Sequence, residues 1–285
     1  MRIDLHTHST ASDGTDTPAE LVAAARAAQV DVVALTDHDT TAGWAPAISA
    51  LPPGITLVPG AELSCTAPDP SGRPIPLHLL GYLFDPNNEM FLAELGRLRD
   101  SRLSRGRRIV DRLAADGVPI SWEQVLEISA GGNVGRPHIG RALMQAGVVE
   151  SVDDAFGRYL HSGSPYYVPK EEIDVLVAVR LVRTSGGVPV FAHPLARRRG
   201  RVVPDSVIAA MATAGLAGLE VDHPDHDDAD RAHLRGLAAE LDLLITGSSD
   251  YHGGNKAVPL GAYGTAPAAF EALVAQASGA HPVAA

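Results

Sequence analysis

The sequence predicts an α/β fold with a largely parallel sheet, on two observations. Short β-branched apolar runs recur along the chain, and Ala-rich segments of helical period separate them. The runs cover residues 2–5, 32–36, 55–58, 76–83, 188–192, 218–221 and 243–246, each short and apolar enough for a buried strand. Seven strands with intervening helices fit a sheet that is either open or closed into a barrel.

The helices follow from local signals. Thr17-Pro18-Ala19-Glu20 is a capping box with proline at the first helical position, and it opens a helix that runs to Gln29. Helices also fit residues 41–50, 172–185, 205–214, 228–240 and 268–277. The stretch 89–170 breaks the alternation, with helical pattern and no strand. It holds eleven Arg and Lys against ten Asp and Glu, net +1, while the rest of the chain holds 12 against 24, net −12. The expected organisation is a discontinuous barrel domain, residues 1–88 and 171–285, interrupted by a helical insertion domain, residues 89–170. Seven of the insertion's cations (Arg97, Arg99, Arg102, Arg105, Arg107, Arg108 and Arg112) fall in one helix. Most read as a solvated face with i,i+4 partners such as Arg107 with Asp111. The tail after Ser278 reads as frayed.

Composition excludes several classes. The 285 residues are 45% hydrophobic and 20% charged, ordinary for a globular chain and too apolar for disorder. The lone cysteine, Cys65, rules out an intrachain disulfide framework and a multi-cysteine zinc site, and reads as a small buried hydrophobe. A net charge of −11 argues against bulk binding of nucleic acid but leaves room for a local basic groove. The start MRIDLHTHSTASDG has no apolar core of a signal peptide, and no stretch is apolar enough to span a bilayer, so a soluble cytoplasmic protein with no membrane partner is expected.

Twelve histidines in an acidic chain remain to be explained. His6 and His8 end the first predicted strand, and their i,i+2 spacing puts both imidazoles on one side of an extended segment. Asp13 follows in the next loop. His38 comes just after the second strand, Glu62 after the third, His78 within the fourth, His193 at the end of the fifth, and Asp250 and His252 after the seventh. A lone histidine in such a place is more often structural than a ligand. Nine histidines and carboxylates repeating one topological position, where α/β barrels carry their active sites, form a pattern. Unrelated hydrogen bonds would leave their charges uncompensated, and divalent cations would compensate them. The donors are nitrogen and oxygen only, which suits manganese, iron or zinc, and nine donors suggest two or three ions. In such a centre a water between ions becomes the nucleophile and the metals stabilise charge on substrate oxygens, which suits phosphoester hydrolysis.

His6-x-His8, Asp13, Thr36-Asp37-His38, Glu62, His78, His193-Pro194 and Asp250-x-His252 resemble, in order, the motifs of the PHP (polymerase and histidinol phosphatase) superfamily. The resemblance covers about 200 residues outside the insertion. It implies a distorted seven-stranded (β/α)7 barrel with a trinuclear metal centre, manganese being the first choice of metal. On the family's pattern, His6, His8, Glu62 and Asp250 hold one ion. Glu62, His78 and His193 hold a second, with Glu62 bridging, and Asp13, His38 and His252 hold the third. Many members carry histidine where this chain has Asp13. That aspartate, with the insertion, resembles the subgroup that removes the 3′-phosphate from 3′,5′-bisphosphonucleotides and degrades short RNA from its 5′ end.

A phosphate needs an Arg fork, a Lys or a helix N-terminus to orient it. The insertion supplies Arg136, His138 and Arg141 in Gly135-Arg136-Pro137-His138-Ile139-Gly140-Arg141, and Lys170, one of two lysines, where it rejoins the barrel. Arg136, Lys170 and His138 are the substrate-binding candidates, and Arg141 ranks behind them. Tyr166 and Tyr167 fit base stacking or loop packing. Glu220-Val221-Asp222-His223-Pro224 ends the sixth strand, so His223 reads as a proton donor to the leaving group or as a partner of a metal ligand. Asp37 reads as a support for His38. His226, His233 and His281 read as surface residues, and Arg197-Arg198-Arg199-Gly200-Arg201 as a solvated loop or a steering patch.

The expected function is a metal-dependent phosphoesterase acting on nucleotide phosphomonoesters, with Asp13, Glu62 and His223 in the catalytic machinery. Its partners are a small nucleotide phosphate and short single-stranded RNA, with no DNA duplex, membrane or protein partner. The alternatives are a histidinol-phosphatase-like enzyme, which Asp13 opposes, and a non-catalytic PHP regulatory module, which the complete ligand set opposes. A third is an amidohydrolase, which the position of the two lysines opposes.

Overall fold

The predicted capping box forms. In the computed structural model, which describes residues 1–285, the Thr17 hydroxyl accepts the Glu20 amide and the Glu20 carboxylate accepts the Thr17 amide, opening α1 (Pro18–Ala27). The chain then alternates as β1 (Ile3–Thr7), α1, β2 (Val32–Leu35), α2 (Trp44–Ser49), β3 (Thr56–Pro68) and β4 (Pro74–Tyr82). After the helices described below come β5 (Ile173–Asp174), α7 (Val175–Thr184), β6 (Val188–Phe191), α8 (Asp205–Ala214) and β7 (Gly218–Asp222). The chain closes with α9 (Asp228–Glu240), β8 (Leu244–Gly247), α10 (Pro267–Ala275) and β9 (Val283–Ala284).

Seven strands pair in the order β1-β2-β3-β4-β6-β7-β8, and the short β5 and β9 attach to β3. Thr7 bridges to Tyr251, just past β8, so the two edges meet and the sheet is nearly a closed barrel. The largely parallel sheet of the sequence reading needs correction at β4, which runs antiparallel to both β3 and β6. The physical reason is the short connection between β3 and β4, since a parallel pairing would need a long crossover. Asp69 turns the chain there, accepting the amides of Ser71 and Arg73, with Gly72 at φ +81°. β3 is also far longer than residues 55–58, so Glu62 lies inside a strand and not after one. Gly60, within β3, is a point of close approach where a Cβ would stand 3.0 Å from the Gly81 carbonyl. The tail is not frayed: Ala280 donates to the Leu83 carbonyl and Val283 pairs with Leu57.

Alternation along the strands separates two cores. Ile3, Leu5, Val32, Ala34, Val188 and Val190 fill one, closed by Phe270 and Leu273 of α10. Val33, Leu35, Leu57 and Leu63 face the other, against α1, α2, α7, α8 and α9. Residues at i and i+1 thus bury on opposite faces, as strands covered on both sides must. Residues 89–160 supply α3 (Glu89–Ala115), α4 (Trp122–Ser129), α5 (Arg136–Gln145) and α6 (Val152–Ala155), running into a π-helical turn at Phe156–Leu160. Fourteen buried residues between Ile109 and Val168 form a third core, whereas Phe91, Leu95 and Leu98 at the start of α3 pack into the barrel's outer core. On α3, Arg97, Arg99, Arg107, Arg108 and Arg112 are exposed, but Arg102 and Arg105 are buried, and the Arg107–Asp111 pair does not form. No helix is long and apolar enough to cross a membrane.

Candidate metal centre

Glu62 is where the strand ends meet. Its Oε2 lies 3.3 Å from His6 Nε2, 3.2 Å from His8 Nε2 and 3.0 Å from His38 Nδ1. Its Oε1 lies 2.8 Å from His78 Nδ1 and 3.0 Å from His193 Nε2. Asp250 Oδ1 stands 3.5 Å from both His6 and His8, and Asp13 approaches His252 at 3.4 Å and His8 and His38 at 3.8 Å. All nine residues singled out from the sequence therefore surround one buried space. The donor atoms of eight of them form three overlapping groups, each within 4.8 Å: His8, Asp13, His38 and His252; His6, His8 and Asp250; His38, Glu62 and His78; His193 joins none of these and touches Glu62 alone among the carboxylates of the nine. The grouping differs in detail from the family pattern, since His8 joins the Asp13 group and His38 the Glu62–His78 group.

This arrangement fits metal ions and fits poorly without them. His6 Nε2 and His8 Nε2 point at each other across 3.0 Å, and five imidazoles crowd one carboxylate. The Nδ1 atoms of His38 and His78 are buried with no properly directed hydrogen bond, although Glu62 is near both. Lone pairs turned toward a common point are what a shared cation satisfies. The nitrogen and oxygen donors suit a borderline or hard divalent ion.

The ionisation states agree. Burial opposes charge on Glu62, but His78, His38 and His6 outweigh it and hold the carboxyl well below its usual range. The same holds for Asp13 beside His38 and His252, and for Asp250 beside Lys256, His6 and Arg199. Burial pushes His38 down to about 3 and His252 to about 4, and drives His193 well below its usual value. These rings are thus neutral, as ligation requires. His6 and His8 are raised against burial, by Glu220, Glu62 and Asp250 around His6 and by Asp250 and Glu62 around His8. A metal would take the place of those protons.

Several supporting residues escaped the sequence reading. Glu220 accepts the His193 amide at 2.7 Å and sits 3.0 Å from His6 Nδ1, which turns His6 Nε2 toward Glu62. Asp4 accepts Ser249 N and Oγ, anchoring the loop that carries Asp250. Asp37, expected to support His38, instead spends its oxygens on Ser9 and Ser12, and so shapes the loop carrying Asp13. Asn133, in the loop before α5, donates to the His38 carbonyl at 2.7 Å. Asp39, His193 and Asp250 all hold positive φ, a local strain of about 1–3 kcal/mol each that the surrounding bonds sustain. Arg199 and Lys256 both donate to Asp250 Oδ2 at 2.6 Å. Arg199 is therefore not part of a merely solvated loop, and Lys256 belongs to the centre although it ends no strand.

The remaining candidates lie close by. His223 is fully buried; its Nδ1 accepts the Asp225 amide and its Nε2 is 3.4 Å from Asp250 Oδ2. Arg136 opens α5, with Nη1 on the Leu160 carbonyl, next to Gly135, where a Cβ would meet Asp13 at 3.3 Å. His138 is buried and accepts the Gly135 amide on Nδ1, and burial lowers it to about 4. Lys170 Nζ is 2.9 Å from Glu172. Arg141 reaches the Ile128 carbonyl at 3.4 Å. Tyr166 packs on Tyr159 and donates to Asp116. His233 and His281 are exposed, but His226 is buried, a correction: it lies before α9, accepts the Leu195 amide and sits 2.8 Å from the Val221 carbonyl. Its polar neighbours in sequence conceal this, because its partners come from other strand ends.

A barrel whose strand ends gather such a centre belongs to the metallohydrolases, and comparison with known proteins narrows the class. The PHP domain model matches residues 4–95. A 5′-3′ exoribonuclease of Haemophilus influenzae is 36% identical over 253 residues, covering 88% of this chain and 90% of that protein. A 3′,5′-nucleoside bisphosphate phosphatase of Chromobacterium violaceum is 34% identical, covering 88% and 87%. A crystal structure from Bifidobacterium adolescentis, described as that of a metal-dependent phosphoesterase, superposes with a TM-score of 0.89 at 38% identity, over 97% of this chain and 96% of the other. The chain belongs to the PHP family and, with it, to the phosphoester hydrolases.

Proposed function

We propose that this phosphoesterase removes the 3′-phosphate of 3′,5′-bisphosphonucleotides and, at the same centre, degrades short RNA from its 5′ end. The carrying observation is the convergence of three His/carboxylate groups on Glu62 beside buried cations of the insertion. The two curated relatives named above support the substrate class. Two or three divalent ions would be held by His6, His8, Asp13, His38, Glu62, His78, His193, Asp250 and His252, with manganese first and iron or zinc as alternatives. When bound, such ions activate water and stabilise charge on phosphate oxygens.

The protein's own residues do the rest. Glu62 turns Oε2 toward His6, His8 and His38 and Oε1 toward His78 and His193, and would help hold ions on both sides. Of the two roles open to His223, its geometry supports positioning: with Nδ1 accepting the Asp225 amide, its proton lies on Nε2, toward Asp250. Arg136 and Lys170 hold the substrate's phosphate, and His138 offers it only the ring nitrogen that the Gly135 amide leaves free. Residues 1–88 and 171–285 form the catalytic barrel, and residues 89–170 an insertion that supplies these contacts.

The test is a hydrolysis screen with Mn²⁺ comparing a 3′,5′-bisphosphonucleotide, histidinol phosphate and short 5′-phosphorylated RNA, alongside metal analysis. Turnover on the first and third, lost on chelation and restored by metal, with more than one ion per chain, is expected. Preference for histidinol phosphate, or no more than one ion in an active enzyme, would overturn the proposal.

A further inference from the structure

We propose that Asn133 is a positioning residue for the Asp13, His38 and His252 side of the metal centre, and that through it the insertion sets how tightly that side holds an ion. This rests on the metal-dependent reading above. Two backbone carbonyls of the ligand-bearing loops, those of Ala11 and His38, take a hydrogen bond from Asn133 and from no other group. Its backbone amide donates to Ala11 at 2.8 Å and its side-chain Nδ2 to His38 at 2.7 Å. Ala11 lies two residues before Asp13, and His38 is a donor of the same group. One residue of the insertion therefore grips both segments, although 95 positions separate it from His38.

The grip is rigid on the insertion's side. Asn133 is 6% exposed, and the next residue, Val134, is packed in the insertion's own core. Gly132 leaves no slack, because a Cβ there would stand 2.1 Å from the Thr10 carbonyl, so the two backbones touch. Gly135 lies against Asp13 itself, with a Cβ position 3.3 Å from Oδ2. The cost of the arrangement falls on Asn133. A carbonyl can only accept, so the amide must turn Nδ2 toward His38, and Oδ1 is left buried without a partner. A side chain that served packing alone would avoid that cost. The other supports of the centre come from the barrel: Asn255, after β8, donates to the Asp13 carbonyl at 2.7 Å, and Glu220 on β7 holds His6 and the His193 amide. Freeing Asn133 therefore loosens one side of the centre and leaves the rest anchored.

The experiment titrates Mn²⁺ into chelated full-length protein and counts bound ions by calorimetry and by loss of the free-ion electron paramagnetic resonance signal. The wild type should bind more than one ion. Asn133→Leu is close in volume and cannot donate to His38; it should weaken one ion by about 10–100-fold and leave the others as they were. Gly132→Ala changes none of the nine donors but drives the loop off Thr10, so it should give the same selective loss, and it serves if the Leu variant fails to fold. A purely structural role would lower the melting temperature of the chelated protein and weaken every ion alike. That result, or ions bound by the variants as by the wild type, overturns the proposal. A wild type that binds no more than one ion overturns the metal reading and the proposal with it, so the wild-type titration tells the two failures apart.

Discussion

Replacing Lys170 by Met should stabilise the metal-free, phosphate-free protein near neutral pH. Burial takes the Lys170 ammonium from 10.5 down to about 8, with Arg102 repelling it and Glu172 and Asp39 only partly compensating. A shift of that size is worth about 3 kcal/mol, which the folded state gives up at pH 7 by keeping the charge. Met has a similar stem and no charge, so the substitution relieves this cost. The attraction to Glu172 is already contained in that shift; what Met additionally loses is the hydrogen bond a neutral amine could still give Glu172, which returns about 1–2 kcal/mol, so the net gain is about 1–2 kcal/mol. Urea unfolding of chelated wild type and variant measures it; at an m-value on the order of 3 kcal/mol/M the midpoint should rise by roughly half a molar. The sign with pH is fixed. The unfolded chain holds the Lys170 proton up to about 10.5 and the folded chain releases it from about 8, so wild-type stability gains on the variant as pH rises through that window. The advantage of the variant should therefore shrink between pH 8 and 10.5. A variant destabilised at pH 7, or an advantage constant across the window, would refute the claim that burial strains this ammonium.

Two further substitutions probe the supports of the centre. Glu220→Gln keeps the shape but weakens the hold on His6 Nδ1 and the His193 amide, so metal affinity should fall about 10–100-fold with little change in melting temperature; unchanged metal retention in a chelator competition would remove Glu220 from that role. Arg102→Leu leaves Asp39 buried and unpaired between Ser64 and His38, and should cost about 3–5 kcal/mol in chemical unfolding, whereas a loss under about 1 kcal/mol would show that Ser64 alone suffices.

The sequence reading succeeded where function depends on neighbours along the chain. The spacing of His6 and His8, the placement of His38 and Asp250 after short apolar runs, and the capping box at Thr17 are local patterns, and each kept its place in the structure. It faltered where partners come from far away. Arg102 looks like one more cation of an exposed helix until Asp39, 63 residues earlier, meets it. His226 looks solvated until the Leu195 amide finds it, and Lys256 looks remote until the loop after β8 folds it onto Asp250.

What the sequence by itself determined is therefore the list of donors, their order and the alternation of strands and helices, because side-chain chemistry and backbone periodicity are properties of short segments. Only the tertiary structure decided that β4 runs against its neighbours, that five imidazoles share the carboxylate of Glu62, and that Arg105 is left buried without a partner. Burial and electrostatic pairing are sums over groups brought together from the whole chain, and no short window contains them.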